Sequence, residues 1–210
     1  MEYTKIIFYL IFVIYSIILL FESLDIFGFT PRQFLFLTNV CFLINLTYQL
    51  IQLLDSLHLI EVSKVVIDGL FKFALSLSIV VDIMFWIMYI SDPNLLVEKG
   101  LVIPSWFLFS MHGSNMIFLL GEHLFIYKHY ESKEVGVLAM IIFSIVYTIT
   151  LYSSFYFLHI EIYPFLNHFT FIQYVLFTIC CAVILILVTY IQKLFVHEEK
   201  IEESINLDDL

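Results

Sequence analysis

Charged residues are scarce in this chain of 210 residues, of which only 13% are Asp, Glu, Lys or Arg while 62% are apolar. The mean hydropathy is +1.01. A soluble domain of 24.8 kDa could not bury that much apolar surface, so the composition excludes an ordinary soluble protein. The chain also lacks internal repeats and low-complexity stretches, and no separate soluble domain fits between its apolar segments.

Cysteine is equally sparse, and its three positions exclude the usual cysteine chemistry. Cys41, Cys180 and Cys181 all fall within apolar segments, two of them are adjacent, and no Cys-x-x-Cys pattern is present. Because adjacent cysteines do not readily bridge, we interpret all three as buried thiols with no zinc or redox role. We expect neither a metal nor a cofactor.

Six apolar segments are present, each close to the roughly 20 residues that a helix needs to cross a membrane. They cover approximately residues 6 to 22, 33 to 54, 70 to 90, 101 to 125, 136 to 158 and 170 to 192. The pattern predicts an all-α integral membrane bundle of six transmembrane helices over residues 1–195, followed by an acidic cytosolic tail at 196–210. The first segment is not read as a signal peptide, because it has one early cation and no small-residue cleavage site.

The nine cations predict the orientation of the bundle. If the chain crosses six times, seven of these nine cations lie on the same side as the two termini, which predicts that both termini are cytosolic. Those seven are Lys5, Lys64, Lys72, Lys128, Lys133, Lys193 and Lys200, against Arg32 and Lys99 on the other side.

Two segments carry polar side chains at helical spacing, which predicts two polar faces turned away from lipid. The second segment has Thr38, Cys41, Asn45, Tyr48, Gln52 and Asp55; the fourth has Ser105, His112, Asn115 and Glu122. If the faces meet, they enclose an intramembrane pocket, although inter-helical hydrogen bonds alone are an alternative explanation. At 1.5 Å per residue, Thr38 lies about 8 Å and His112 about 12 Å below the non-cytosolic surface, within reach of each other.

Several short motifs around these residues resemble one family of membrane proteins. They are Phe36-Leu37-Thr38, Phe85-Trp86-Ile87-Met88-Tyr89, Ile103-Pro104-Ser105-Trp106 followed by Met111-His112 and Glu122, and Ile162-Tyr163-Pro164-Phe165. In order and spacing over about residues 33 to 192, the chain resembles the androgen-induced and androgen-dependent TFPI-regulating membrane proteins. It departs from them at Leu108-Phe109, where the family has Asn-His, and near Ser76, where the family has proline.

The resemblance implies a function and two catalytic residues. These six-span proteins are threonine hydrolases of fatty acid esters of hydroxy fatty acids, and Thr38 matches their nucleophile while His112 matches their catalytic histidine. An imidazole is a suitable base for a threonine hydroxyl. The oxyanion donors are left open among Asn39, Asn45, Asn115 and a backbone N–H near Gly113.

The expected partners are a lipid ester substrate and membrane lipids, with no nucleic acid, in the endoplasmic reticulum and endomembrane system or the plasma membrane. Three other interpretations remain. Thr38 could simply donate to the carbonyl four residues earlier, as membrane threonines usually do. The bundle could hold haem, although no second span has a comparably buried histidine. It could also be a non-catalytic lipid-binding or regulatory protein.

Asp82 adds a hypothesis that goes beyond the resemblance. It lies inside the third segment at about the depth of His112, and an intramembrane carboxyl usually has a partner in the bundle. Asp82 could therefore bond the imidazole and orient it, as the acid does in a serine triad. The alternative is a protonated Asp82 bonded to Ser78 or to a backbone carbonyl.

The cation distribution generates a prediction for topology. An Asn-x-Ser/Thr acceptor engineered into the loop around residue 94 should be glycosylated on the lumenal side, whereas one placed after residue 197 should not. Gel mobility before and after enzymatic deglycosylation measures both. The opposite pattern of modification would invert the orientation.

Overall fold

The structure, a computed structural model, describes residues 2–96, 103–126, 133–160, 162–163, 165–166 and 169–192. Over those ranges the chain is helical and contains no strand, as the all-α prediction requires. The predicted tail at 196–210 lies outside the described residues. The helices are α1 (Glu2–Phe27), α2 (Leu37–Ser56), α3 (Lys64–Ser91), α4 (Ser105–Met111), α5 (Ser114–Phe125), α6 (Lys133–Tyr156) and α7 (Phe171–Gln192), with short 3₁₀ helices at Pro31–Leu35 and Pro93–Leu95.

Five of these helices are long and apolar enough to cross a membrane, namely α1, α2, α3, α6 and α7. Each corresponds to one of the predicted apolar segments. The class of the protein, a multi-pass helical membrane protein, is therefore confirmed. A sixth crossing and the cytosolic position of both termini stay predictions.

The fourth predicted segment is not one continuous helix, and in this respect the prediction was wrong. The N–H of His112 donates to the carbonyl of Leu108 at 2.9 Å, and α4 ends there. The next intrahelical bond runs from the N–H of Ile117 to the carbonyl of Gly113 at 3.0 Å and begins α5. A Cβ at Gly113 would lie only 3.0 Å from the carbonyl oxygen of Phe109, so a larger residue there would require the backbone to shift.

Two side chains donate hydrogen bonds to backbone carbonyls beside this break. The indole Nε1 of Trp86 on α3 donates to the carbonyl of His112 at 2.7 Å. The hydroxyl of Ser114 donates to the carbonyl of Ser110. Backbone polar groups at membrane depth must find partners within the protein, and a broken helix is stable there only when neighbours supply them. The two halves together run for roughly 30 Å at 1.5 Å per residue.

Helix α3 forms the centre of the bundle. It packs against α2, α5, α6 and α7, and 56% of its apolar window is buried, compared with 17% for α6 and 11% for α7. Its Leu77 and Val81 share a core with Cys41 of α2 and Met140 of α6. Cys180 on the peripheral α7 is exposed, so only part of the expectation of buried thiols holds.

The closest helix contact joins α3 to α6. A Cβ added to Gly69 would lie 2.5 Å from Cγ1 and 2.9 Å from Cβ of Val135. A Cβ added to Gly136 would lie 3.2 Å from the Cβ of Lys72. Small residues allow membrane helices to approach in this way, and a β-branched side chain such as Val135 has little freedom to move aside.

We therefore expect Gly69→Ala to destabilise the protein by about 1–3 kcal/mol, the usual cost of overpacking. Gly121 provides the control, because it is also helical and a Cβ there would meet nothing within 4 Å. Gly121→Ala should leave stability unchanged or raise it, since alanine favours the helix. Thermal melting in detergent measures both variants, and equal midpoints would contradict the tight contact.

Candidate active site

A cavity of about 690 Å³ occupies the end of the bundle where α2 begins and α3 ends. All of the helices except α5 contribute to its wall, together with the segment before α2 and residues 162–166. Aliphatic and aromatic side chains form most of the lining, and a small number of polar groups interrupt it. A cavity of this size and composition is typical of a site for an apolar ligand.

Thr38 lies in the first turn of α2, is half-buried and lines this cavity. Its hydroxyl has no hydrogen bond within the described residues. Helical threonines elsewhere donate to the carbonyl four residues earlier, at 2.6–3.0 Å; these are Thr47, Thr148, Thr150, Thr178 and Thr189. Thr38 differs because the residue four positions earlier, Phe34, precedes the helix. The usual role of a threonine in a membrane helix, donation of its hydroxyl to the carbonyl four residues earlier, therefore does not account for Thr38.

The helix start at Thr38 is held by a tyrosine from the segment before α7. The hydroxyl of Tyr163 accepts the N–H of Leu37, the first residue of α2, at 2.7 Å. A second tyrosine, Tyr147 of α6, donates its hydroxyl to the carbonyl of Leu35 at 2.8 Å. Both rings line the cavity. They fix the backbone on either side of Phe36 and so set the position of Thr38.

Two backbone donors remain at this helix start. The first N–H groups of a helix have no intrahelical acceptor, and among the described residues those of Thr38 and Asn39 have no other acceptor either. The side chain of Asn39 is engaged, because its Nδ2 donates to the carbonyl of Gln33 at 2.9 Å. Adjacent free N–H groups at a helix N-terminus favour negative charge.

His112 lies at the break between α4 and α5, and its imidazole lines the same cavity as Thr38. The side chain is 7% exposed and stacks on the ring of Phe85, with ring centroids 3.2 Å apart and planes inclined by 6°. Its Nδ1 has no hydrogen-bond partner within the part of the chain that the structure describes. Packing thus fixes the plane of the imidazole, and its Nδ1 is buried without a hydrogen-bond partner among the described residues.

Thr38 and His112 both line one cavity, and their joint catalytic role stays a prediction. No hydrogen bond joins them among the described residues. Asn45 and Asn115 were predicted as possible supporting residues, but neither lines the cavity. Asn45 is buried deeper, where its Nδ2 donates to the hydroxyl of Ser78 on α3 at 2.8 Å.

Asp82 does not form the hydrogen bond to His112 that the triad hypothesis required. Its Oδ2 and the Nδ1 of His112 are both without a hydrogen-bond partner among the described residues. The carboxyl lies in a separate cleft, next to Trp86 and Met116, and interacts with the backbone N–H of Met116. Met116 belongs to the first turn of α5, which begins at Ser114 after the helix break.

The sequence was compared with protein-family models, curated proteins and solved structures. The model of the family described as "FAR-17a/AIG1-like protein" matches residues 4–196. The chain belongs to this family. The prediction of an androgen-induced type of protein is confirmed by that match. No curated protein and no solved structure matches the chain.

A second polar cluster lies in this FAR-17a/AIG1-like chain away from the cavity. The Oε1 of Glu122, which is fully buried, accepts the hydroxyls of Tyr9 and Tyr48 at 2.6 Å each. Gln52 Nε2 donates to the Tyr48 hydroxyl at 2.7 Å. The polar faces of the second and fourth segments thus do meet here, but as a packed cluster instead of a pocket. Tyr9 was not predicted to belong to this cluster, although its place one turn after Lys5 in an apolar helix is a signal for a polar role.

No group of His, Cys, Asp and Glu side chains suited to a metal ion occurs among the described residues.

The tyrosine contact at the start of α2 generates a stability prediction. Tyr163→Phe removes the acceptor of the Leu37 N–H, and an unsatisfied buried donor costs about 1–3 kcal/mol. We expect a lower melting temperature in detergent. Tyr152→Phe is the control, because that hydroxyl has no hydrogen bond among the described residues while its ring is packed against Tyr156. Equal melting temperatures for the two variants would show that Tyr163 does not hold the helix start.

Proposed function

We propose that this protein is a membrane-embedded lipid ester hydrolase in which Thr38 is the nucleophile and His112 is the general base. The observation that carries the proposal is the pairing, in one cavity, of a threonine hydroxyl without a hydrogen bond and a buried imidazole with an unpartnered nitrogen. Membership of the FAR-17a/AIG1-like family is compatible with it.

In the first half-reaction, an imidazole nitrogen of His112 takes the proton of the Thr38 hydroxyl as Oγ attacks the ester carbonyl carbon. The carbonyl π electrons move to oxygen and a tetrahedral intermediate forms. When it collapses, the bond to the alkoxy oxygen breaks and the imidazolium returns its proton to that oxygen. The products of this step are a free alcohol and an acyl-threonine ester.

In the second half-reaction, a water molecule replaces the alcohol. His112 removes a proton from water as its oxygen attacks the acyl carbon, and the bond to Thr38 Oγ then breaks. The proton returns to Oγ, so the enzyme is regenerated and a carboxylic acid leaves. The balance is one ester and one water giving one acid and one alcohol.

The negative oxygen of each tetrahedral intermediate needs donors that are already in place. The N–H groups of Thr38 and Asn39 meet that need, because they have no acceptor among the described residues and adjoin the nucleophile. Donors of this kind contribute roughly 10²–10³-fold to turnover in other hydrolases. The Asn45 and Asn115 side chains are remote from the cavity and are not used in this mechanism.

The wall of the cavity supports a lipid as substrate. Leu77, Val81, Phe107 and Phe177 belong to a lining that is mostly apolar, and a volume of about 690 Å³ is sufficient for a substantial part of a fatty acyl chain. We assign fatty acyl esters of hydroxy fatty acids as the substrate class, following the family resemblance. Such substrates enter from the surrounding bilayer, in an endomembrane or the plasma membrane.

A second candidate function is lipid binding without turnover. It is favoured by the same apolar cavity and by the lack of a hydrogen bond between Thr38 and His112 among the described residues. A fluorophosphonate probe separates the two functions, because it reacts with an activated hydroxyl and leaves a mere lipid-binding protein unlabelled.

The mechanism predicts that Thr38→Ala and His112→Ala each lower ester turnover by at least about 100-fold. The double variant should be no less active than the singles, because members of one catalytic unit are not additive. Thr38→Ser should keep partial activity, since its hydroxyl survives. Turnover is measured with purified protein in detergent on a long-chain fatty acyl ester of a hydroxy fatty acid.

Thr47→Ala provides the matched control on the same helix. Thr47 is exposed and its hydroxyl donates to the carbonyl of Leu43 at 2.8 Å, so its loss should leave turnover and probe labelling unchanged. Wild-type protein that binds the ester without hydrolysing it would reject the hydrolase in favour of the lipid-binding function. Labelling that persists in Thr38→Ala would place the nucleophile elsewhere.

A further inference from the structure

A second cleft, with a volume of about 480 Å³, lies between α3 and the start of α5. The described residues that form it are not those that line the cavity of Thr38 and His112. Its wall is mostly aliphatic, and the side chains of Ile83, Ile87 and Ile90 are each more than half exposed. Because α3 is long and apolar enough to cross a membrane, a cleft on its exposed face opens sideways to lipid acyl chains.

One acid interrupts this aliphatic wall. Asp82 is the single charged residue among the described residues of the cleft, and only 3% of its surface is exposed. Its carboxyl interacts with the N–H of Met116, but its Oδ2 is buried without a hydrogen-bond partner among the described residues. A polar atom withdrawn from water without a hydrogen bond costs free energy, and acids inside a membrane normally have a partner. A ligand group that bonds Oδ2 is therefore favoured here.

Water is poorly suited to this position. A buried water makes about three hydrogen bonds, and the other polar groups of the cleft cannot supply them. The indole Nε1 of Trp86 donates to the carbonyl of His112. Ser91 lies nine residues after Asp82, which is about 14 Å along α3. A water on Oδ2 would thus have one partner in an otherwise apolar cleft, so a ligand that brings its own apolar surface is better suited.

A hydroxyl group matches Oδ2 whether the acid is ionised or protonated. It donates to a carboxylate, and it accepts from a carboxylic acid. An ammonium group suits only the ionised acid, and an ester or ether oxygen suits only the protonated one. The aliphatic wall around Asp82 favours an equally aliphatic body for the rest of the ligand. The chemistry of the cleft thus favours a hydroxyl on a long hydrocarbon chain.

The position of Asp82 along α3 determines where on the ligand that hydroxyl lies. Asp82 is about 14 Å from Ser91, the last residue of the helix, and the hydrocarbon core of a bilayer is about 30 Å thick. The acid is therefore deep among the acyl chains. Sterols and diacylglycerols carry their hydroxyl at the membrane surface, above this depth. A hydroxyl part-way along an acyl chain reaches it while the polar end of the lipid stays at the surface.

We propose that this cleft is a binding site for a long-chain lipid that is hydroxylated part-way along its acyl chain, with the hydroxyl bonded to Oδ2 of Asp82. The chain is bound and not cleaved, so the inference goes beyond the proposed hydrolase and holds or fails independently of it. Trp86 connects the two sites, because its ring borders the cleft and its Nε1 donates to the carbonyl of His112. Met116 lies in the first turn of α5, on the other side of the helix break. A bound chain therefore contacts residues on both sides of the break and stabilises it.

The emission of Trp86 reports on binding, because the chain has only two tryptophans and Trp106→Phe leaves Trp86 alone. Two matched fatty acids are titrated in neutral detergent, both brominated at mid-chain to quench the indole, and one of them carries a hydroxyl beside the bromine. In Trp106→Phe protein we expect the hydroxylated acid to bind at least about tenfold more tightly, in line with a hydrogen bond to a buried acid. A brominated acid whose hydroxyl lies next to its carboxyl should gain nothing over the acid without a hydroxyl.

Asp82→Ala and Asp82→Leu, each added to Trp106→Phe, should abolish the preference for the hydroxylated chain. Thr150→Val is the control, because Thr150 is an exposed residue of α6 outside the cleft whose hydroxyl donates to the carbonyl of Val146. It should leave the preference unchanged. Ile87→Phe changes an exposed side chain and narrows the cleft, so it should weaken binding of both chains. The hydroxylated acid should also raise the melting temperature more than its matched acid does in wild type, but not in Asp82→Ala.

Equal affinities of the two matched acids for Trp106→Phe protein would overturn the proposal, and so would a preference that survives in Asp82→Ala or Asp82→Leu. If neither Asp82 variant folds, unaltered binding in Ile87→Phe overturns it. Displacement of the quenching acid by a sterol or a diacylglycerol at a lower concentration than by the mid-chain hydroxy acid would place the ligand hydroxyl at the membrane surface and reject the assignment. None of these measurements uses ester turnover, so a failure here leaves the hydrolase proposal to its own test.

Discussion

The break in the backbone at His112 and Gly113 is the feature on which the proposed site depends. In a membrane, every N–H and C=O must find a partner in the protein, so an interrupted helix is stable only where neighbouring side chains receive the released groups. The Trp86 indole and the Ser114 hydroxyl serve this purpose. The break in turn places the imidazole at the cavity wall, stacked on Phe85. Helix α3 therefore positions His112, because it carries both Trp86, which binds the His112 carbonyl, and Phe85, which stacks on the imidazole.

The same constraint operates at the other half of the site. Thr38 stands at the start of α2, where the hydroxyl has no preceding helical carbonyl and the first N–H groups are without intrahelical acceptors. Tyr163 accepts one of those N–H groups, and the next two have no acceptor among the described residues. Both proposed catalytic residues therefore lie where regular helix stops. Non-helical backbone at membrane depth is tolerated where it lines a cavity, and this cavity is lined by both interruptions.

The sequence predicted the helical class, because hydropathy marks the spans. Residue counting gave Thr38 and His112 similar depths, and both residues line one cavity. It could not predict the break, since the run from Gly100 to Gly121 has no charge or internal proline outside Pro104. A partner on another helix, Trp86 of α3, stabilises the break. The periodicity of residues within one segment carries no information about such a partner. Depth alone also brought Asp82 next to His112, whereas the direction of each side chain around its helix separates them. Asn45 was assigned to the site because of its helical face, but its Nδ2 donates to Ser78 of α3 and the residue does not line the cavity.

The bundle has two groups of buried polar side chains, the cluster around Glu122 and the polar residues that line the cavity, and they are packed differently. At one layer, Oε1 of Glu122 accepts the hydroxyls of Tyr9 and Tyr48, and Gln52 donates to Tyr48, beside a packed apolar core. Buried networks of this kind hold helices in register because each lost bond leaves a costly polar atom. At the other layer, the polar groups are separated by aliphatic and aromatic side chains and surround open volume. The cluster joins α1, α2 and α5 through hydrogen bonds, whereas the cavity lies at the end of the bundle where α2 begins and α3 ends.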